Sequence, residues 1–291
     1  MKQIIKNYTQ LVKFRLTSTV VATSVFGYIL GCKINNNEGW TQVFEWSELI
    51  GVLVGGMLIV FASNGLNQVI EKENDGKMAR TATRPVVEGR IGIPQARWFS
   101  LISGVIGVVL LAYTTNFTST LLGVISLAIY VFVYTPMKQV SPFAVMVGAI
   151  PGALPPLIGY TAKIPDIDQP GMMLFLVQFF WQFPHFWAIA WLLHDDYQKA
   201  GYWLLPSSGG RDVRSAMQVV TYTVILGIVS LMPIYYKLCS PMALVLIVPA
   251  SLYFCFRSFK LLRTLDQKEA RQLLYFSFLY TPLVFLSYIF F

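Results

Sequence analysis

Residues 46–90 read WSELIGVLVGGMLIVFASNGLNQVIEKENDGKMARTATRPVVEGR, and the join inside this stretch decides the fold. Trp46 to Ile70 is 25 residues long and carries a single charge, Glu48. About 20 apolar residues suffice for a helix to cross roughly 30 Å of hydrocarbon. The next segment, Glu71 to Arg90, holds five bases and four acids. A membrane-length helix therefore empties directly into a charged loop.

The rest of the chain follows the same plan. Of its 291 residues, 55% are hydrophobic and only 12% charged, with a mean hydropathy of +0.59. A soluble domain carries about 25% charged residues, so an ordinary cytosolic enzyme, a disordered chain and a nucleic-acid module are excluded. The composition predicts an all-α polytopic membrane protein, residues 1–291 forming one transmembrane domain. Eight further spans are expected at Thr17 to Cys32, Ile93 to Thr114, Phe117 to Tyr134, Pro142 to Tyr160, Gly171 to Leu193, Ala216 to Tyr236, Pro241 to Leu262 and Leu273 to Phe291. Their length and near-absence of charge favour helices over barrel strands, which alternate apolar and polar residues.

With nine spans, 19 of the 22 bases fall on the side of the N-terminus, and only Lys33, Lys163 and Lys237 on the other. The positive-inside rule then places the N-terminus in the cytoplasm and the C-terminus outside. The net charge of +8 reports this orientation and calls for no nucleic-acid partner; membrane lipid is the expected surroundings. The basic start lacks a small-residue cleavage site, so no removable signal peptide is expected. Cys32, Cys239 and Cys255 form no Cys-x-x-Cys pair and read as apolar filler.

Carboxylates are what orientation does not require, and they concentrate at two mouths. In the first, Asn64, Asn67, Glu71 and Asp75 follow at intervals of 3, 4 and 4 residues, which on one helix puts them on a single face. Amide and carboxylate oxygens on one stripe suit Mg²⁺, which keeps several waters and prefers carboxylates plus phosphate oxygens to an all-protein cage. Lys77, Arg80 and Arg84 follow at once and offer donors for phosphate. A polar helix end with a solvated basic loop is the competing account, and it leaves the acids unexplained. The second mouth closes the sixth span, where His194, Asp195, Asp196 and Lys199 stand together. Two such mouths, if their helices face each other, would hold one diphosphate.

His185 lies ten residues before Asp195, about 15 Å deeper on a continuous helix. An ionisable group within a span is a functional candidate, the alternative being a histidine bonded to a neighbouring helix. Pro184 precedes it, and Trp181, Phe186 and Trp187 supply an aromatic wall for a flat macrocycle. In Tyr134 to Tyr160, Pro151, Pro155 and Pro156 with Gly148, Gly152 and Gly159 are expected to interrupt the helix, either for close packing or to line a cavity.

With these motifs in view, the chain resembles the UbiA superfamily of intramembrane prenyltransferases, and within it the haem O synthase branch. The resemblance runs from the second span to the ninth and rests on NQVIEKENDGKMARTATRP, YTPMKQVSPFAVMVGAIPGALPPLIGY and WQFPHFWAIAWLLHDDYQKAG. The superfamily's N-D-x-x-D-x-x-x-D motif falls on Asn67, Gln68, Glu71 and Asp75; Gln68 and the Pro184 to Trp187 segment are similar to haem O synthases and unlike the quinone-pathway members. AGYWLLP departs from the branch's usual A-G-x-P-M-L-P, which puts the shape of that loop in question.

The resemblance implies a UbiA-like bundle with a cavity open to the cytoplasmic side of a bacterial inner membrane. Mg²⁺ would sit on Asn67, Glu71, Asp75, Asp195 and Asp196, with Lys77, Arg80, Arg84 and Lys199 binding diphosphate. Asn64, Asn67, Arg80, Arg84 and His185 would carry the chemistry, and His185, Trp181, Phe186 and Trp187 the haem pocket. Farnesyl diphosphate and haem b would be the substrates, with haem A synthase or haem-copper oxidase assembly factors downstream. Two rivals are weighed against this. A prenyltransferase with a quinone or chlorin precursor as acceptor is disfavoured by Gln68, and a haem transporter would place its acids at the midplane rather than at one face.

Overall fold

The computed structural model describes residues 2–35 and 40–291. Its elements are α1 (Lys2–Leu11), α2 (Phe14–Asn35), α3 (Trp46–Ile70), α4 (Lys72–Lys77), α5 (Ile93–Thr114), α6 (Phe117–Ala128), α7 (Thr135–Met137), α8 (Ala144–Lys163), α9 (Gln169–Leu192), α10 (His194–Lys199), α11 (Val213–Tyr235), α12 (Leu244–Thr264) and α13 (Gln267–Phe290). A π-helical stretch, Ile129–Tyr134, fuses α6 to α7. There is no strand among the described residues, and nine of their helices are long and apolar enough to cross a membrane. The chain is an integral, multi-pass, all-helical membrane protein.

The span bounds lie within three residues of expectation except at the start of the last. The first span is longer than Thr17 to Cys32 because its hydroxyls bond back onto the helix, Ser18 to Phe14 O at 2.9 Å and Thr23 to Val20 O at 2.7 Å. The last begins at Gln267 rather than Leu273, because its charged first turn is held by the buried pair Arg257–Glu269. The expected break in the fifth span is absent: α8 runs unbroken through Pro151, Pro155 and Pro156. Pro155 leaves the Pro151 carbonyl without a helical donor, and Ser126 Oγ donates to it at 3.3 Å. Gln182 Nε2 donates to the Ala149 carbonyl at 2.8 Å and ties α9 to α8.

Small residues set the spacing between helices. A Cβ on Gly27 would lie 1.8 Å from the Pro156 carbonyl oxygen, and one on Gly159 the same distance from that of Ser24. These two glycines let α2 and α8 pack backbone to backbone.

Long-range ties define two ends. At one, Lys33 Nζ donates to the Tyr288 and Ile289 carbonyls, and Lys163 pairs with Glu45 and Glu48. At the other, Lys13, Lys138 and Arg84 gather at the foot of α3.

Candidate functional site

The foot of α3 is knitted to three other segments. Asn64 Nδ2 donates to the Val12 carbonyl at 3.1 Å and to Thr17 Oγ1 at 3.2 Å. Gln68 Nε2 donates to the carbonyls of Gln10 and Leu11. Both amides thus clasp the α1–α2 junction, where Lys13 has φ of 48°. Asn67 faces elsewhere: its Nδ2 donates to Thr135 Oγ1 at 3.3 Å, and its Oδ1 accepts from Lys13 Nζ at 3.2 Å.

The expected single-helix stripe is therefore modified. The helix ends at Ile70, Glu71 caps it with non-helical backbone (φ −92°, ψ 10°), and Asp75 sits on the short α4. Asn64 points to a different partner from Asn67, Glu71 and Asp75. Glu71 and Asp75 are buried, at 3% and 1% exposure. Glu71 pairs with Lys138 Nζ at 2.5 Å, and Asp75 Oδ2 pairs with Arg84 Nη1. Thr81 Oγ1 donates to the Asp75 carbonyl at 2.7 Å, folding the basic loop back onto α4.

The second mouth does meet the first, through one of its two acids. Asp196 Oδ1 accepts from the Ala79 amide at 2.9 Å and Oδ2 from the Arg80 amide at 3.3 Å. The Arg80 guanidinium stands over the Tyr197 ring at 5.9 Å. Asp195 turns outward, its side chain 71% exposed and paired with Arg211. Lys77 and Lys199 are exposed, Lys77 bonding Asn74 at 3.4 Å and Lys199 lying 3.8 Å from Asp196.

Burial governs the charges here. It pushes the Asp75 carboxyl above the usual carboxylate range, only partly offset by Arg84. It also holds the Lys13 ammonium well below its ordinary value, reinforced by Arg84 and Lys138. For Asp196, burial acts upward but the Ala79 and Arg80 amides outweigh it and keep the carboxyl low. Two buried carboxylates thus stand among three basic side chains, Lys13, Lys138 and Arg84.

Lys13, Lys138, Thr135 and Tyr202 are the members that sequence reasoning missed. Lys138 was legible only as the lone base of its loop. The π-helical stretch carries the backbone into the turn that presents it, with Thr135 Oγ1 donating to the Tyr130 carbonyl at 2.8 Å. Its ammonium stands 4.7 Å from the Tyr134 ring centroid and 6.0 Å from that of Tyr202.

The donor set bears on a metal. Asp75 Oδ1 is buried without a hydrogen-bond partner, yet no group of three His, Cys, Asp or Glu side chains comes together among the described residues. This fits Mg²⁺, a hard cation that takes one or two protein carboxylates and fills its remaining positions with water and phosphate oxygens. It does not fit a cage built of all five expected residues.

The aromatic wall divides in two, a correction with a simple cause. Residues 181 and 185 share one face of α9, and residues 183 and 187 lie about 200° round the helix. His185 stacks on Trp181 (4.5 Å between centroids, 20° between planes) and meets Phe278 edge-on, along the α9–α13 seam. Trp187 packs against Phe183 and Tyr222 of α11. Phe186 touches the His185 ring edge-on at 5.6 Å. Trp187 does not share a pocket with His185.

Residues 39–281 match the family model described as the UbiA prenyltransferase family. The protoheme IX farnesyltransferase of Cytophaga hutchinsonii is 41% identical over 282 residues, covering 97% of this chain and 96% of that protein. That of Flavobacterium johnsoniae is 40% identical, covering 99% and 95%. Among solved structures, one described under the biosynthesis of digeranylgeranylglyceryl phosphate synthase in membranes superposes with a TM-score of 0.79 at 20% identity, covering 99% and 98% of the two chains. A UbiA homolog from Archaeoglobus fulgidus bound to GPP and Mg²⁺ gives 0.63 at 16% identity over 97% and 99%. The chain belongs to the UbiA prenyltransferase family.

Proposed function

We propose that the chain transfers a farnesyl group from farnesyl diphosphate to a vinyl group of haem b with addition of water, giving haem O. The observation that carries the acceptor is the 41% identity, across nearly the whole of both chains, to a protoheme IX farnesyltransferase. The site supports the donor: two carboxylates among three basic side chains at the foot of a membrane helix form a receptacle for a diphosphate.

The residues divide the work. Lys13, Lys138 and Arg84, with Arg80 at the rim, attract the diphosphate and stabilise the charge that grows on it as the farnesyl carbon–oxygen bond breaks. Glu71 and Asp75, with Asn67, would hold Mg²⁺, and Asp196 fixes the loop of residues 79–80 through their amides. When bound, Mg²⁺ neutralises charge on the leaving diphosphate. The allylic cation so freed is attacked by the vinyl carbon of haem b; water adds to the resulting carbocation and a proton leaves. The apolar bundle below the site orients both partners and keeps water from the first cation. Asp195, Lys77 and Lys199 belong to the rim, where they guide the anion from solvent. His185 is a haem-facing residue. The Lys- and Arg-rich end is the cytoplasmic one, the membrane is the bacterial inner membrane, and the product passes to haem A synthase or a haem-copper oxidase assembly factor.

The test is whether purified protein releases pyrophosphate from farnesyl diphosphate only when haem b and Mg²⁺ are both present. Dependence on both, lost in Asp75→Asn, supports the reading. Release with an aromatic quinone precursor and none with haem b would overturn it.

A further inference from the structure

The hydrogen-bond geometry around His185 assigns its tautomer. Ser277 of α13 has one hydroxyl proton and makes two short contacts: 2.6 Å from its Oγ to the Leu274 carbonyl and 2.7 Å from its Oγ to His185 Nδ1. Neither pair of electronegative atoms approaches so closely without a hydrogen between them. A carbonyl can only accept, so the hydroxyl proton goes to Leu274, and the second hydrogen must reside on Nδ1. His185 is therefore the Nδ1–H tautomer, and its lone pair is on Nε2.

The surroundings hold that arrangement. Ser277 is fully buried, and its own carbonyl accepts from Trp181 Nε1 at 2.7 Å, so the Trp181 indole that stacks on the imidazole is tied to the same serine. Ring rotation of His185 would break the Ser277 bond and the stack together. Nε2 makes no hydrogen bond among the described residues, and His185 retains 7% exposure. The neighbouring Phe278 is 54% exposed. The unbonded nitrogen thus belongs to a ring packed at the α9–α13 seam, edge-on to Phe278.

Resting on the proposed haem acceptor, we infer that His185 Nε2 is the axial ligand to the iron of the incoming haem, and that Ser277 is the positioning residue that keeps this nitrogen unprotonated. The substrate reaches it along the α9–α13 seam from within the bilayer. A histidine ligand to a metal characteristically donates its other nitrogen to an oxygen acceptor, which sets tautomer and orientation, and Ser277 Oγ is that acceptor.

The experiment is a spectroscopic titration of ferric haem b into wild type, His185→Ala, Ser277→Ala and Ser277→Thr in lipid nanodiscs, with farnesyl diphosphate binding measured in parallel. The inference expects a histidine-type Soret band in wild type. That band should be lost in His185→Ala and restored there by added imidazole. In Ser277→Ala, haem affinity should fall about tenfold or more, and Ser277→Thr should recover it. Farnesyl diphosphate binding should be unchanged throughout, which certifies folding. Wild-type bands and affinities in His185→Ala and Ser277→Ala would overturn the inference while leaving the farnesyl transfer standing. A wild type that binds haem but never farnesylates it would instead sink the function. If Ser277→Ala loses farnesyl diphosphate binding as well, recovery of the band in Ser277→Thr decides for the inference and its failure decides against it.

Discussion

Lys138→Met leaves the Glu71 carboxylate without its ammonium in a place where water cannot replace it. The pair is 2.5 Å apart, with side chains only 10% and 4% exposed. At an effective dielectric near 20 the bare attraction is on the order of 6 kcal/mol, and the desolvation of both ions offsets much of it. What the single substitution costs is the stranded charge, about 3–5 kcal/mol for a buried pair broken on one side. Glu71→Gln/Lys138→Met removes both charges and should recover most of that loss, so the double variant should be more stable than Lys138→Met alone. The assay is a double-mutant cycle on unfolding free energies in detergent micelles, where the coupling should exceed about 2 kcal/mol. Independent sites add to within about 0.5 kcal/mol. Additivity at that level would refute the claim that Lys138 and Glu71 form a buried pair.

Further outcomes follow from the same geometry. Asp75 titrates above the usual carboxylate range because it is buried. The proposed Mg²⁺ role would use its charged form, which is lost as pH falls through that raised value, so the acid limb of the turnover–pH profile should lie above that of an exposed carboxylate and move higher still in Arg84→Gln. Stability runs the other way: a raised carboxyl favours the folded state below its unfolded pKa, and this contribution is lost as pH rises through the folded value; unfolding midpoints against pH check the sign. Asp196→Ala frees the Ala79 and Arg80 amides and should cost at least tenfold in turnover. Asp195→Ala, which breaks one exposed pair worth about 0–1 kcal/mol, should cost less than threefold, and parallel pyrophosphate-release rates distinguish the two. Gly159→Val places carbon 1.8 Å from the Ser24 carbonyl oxygen and should abolish the folded fraction recovered by size-exclusion chromatography.

The spans were legible because length and hydropathy alone decide what crosses a bilayer, and Trp46–Ile70 emerged with its bounds intact. The carboxylates were legible because orientation has no use for them. Their partners were not. Lys13 lies 54 residues from Asn67 and looks in sequence like any other orientation charge, while Lys138 depends on a π-helical turn that no local propensity announces. Asp195 and Asp196 are adjacent in sequence and opposite in role, because successive helical residues point about 100° apart. The same phase separates Trp187 from His185. Pro151, Pro155 and Pro156 misled because the donors that satisfy the freed backbone, such as Ser126, come from another helix.

The central claim is tested most directly by the mass of the pigment. Purified protein is incubated with haem b, farnesyl diphosphate and Mg²⁺ in oxygen-18 water, and the haem is extracted and weighed by mass spectrometry. The account predicts a haem that has gained one farnesyl group and one hydroxyl bearing the heavy oxygen. A haem of unchanged mass, or one farnesylated without the solvent oxygen, would contradict it.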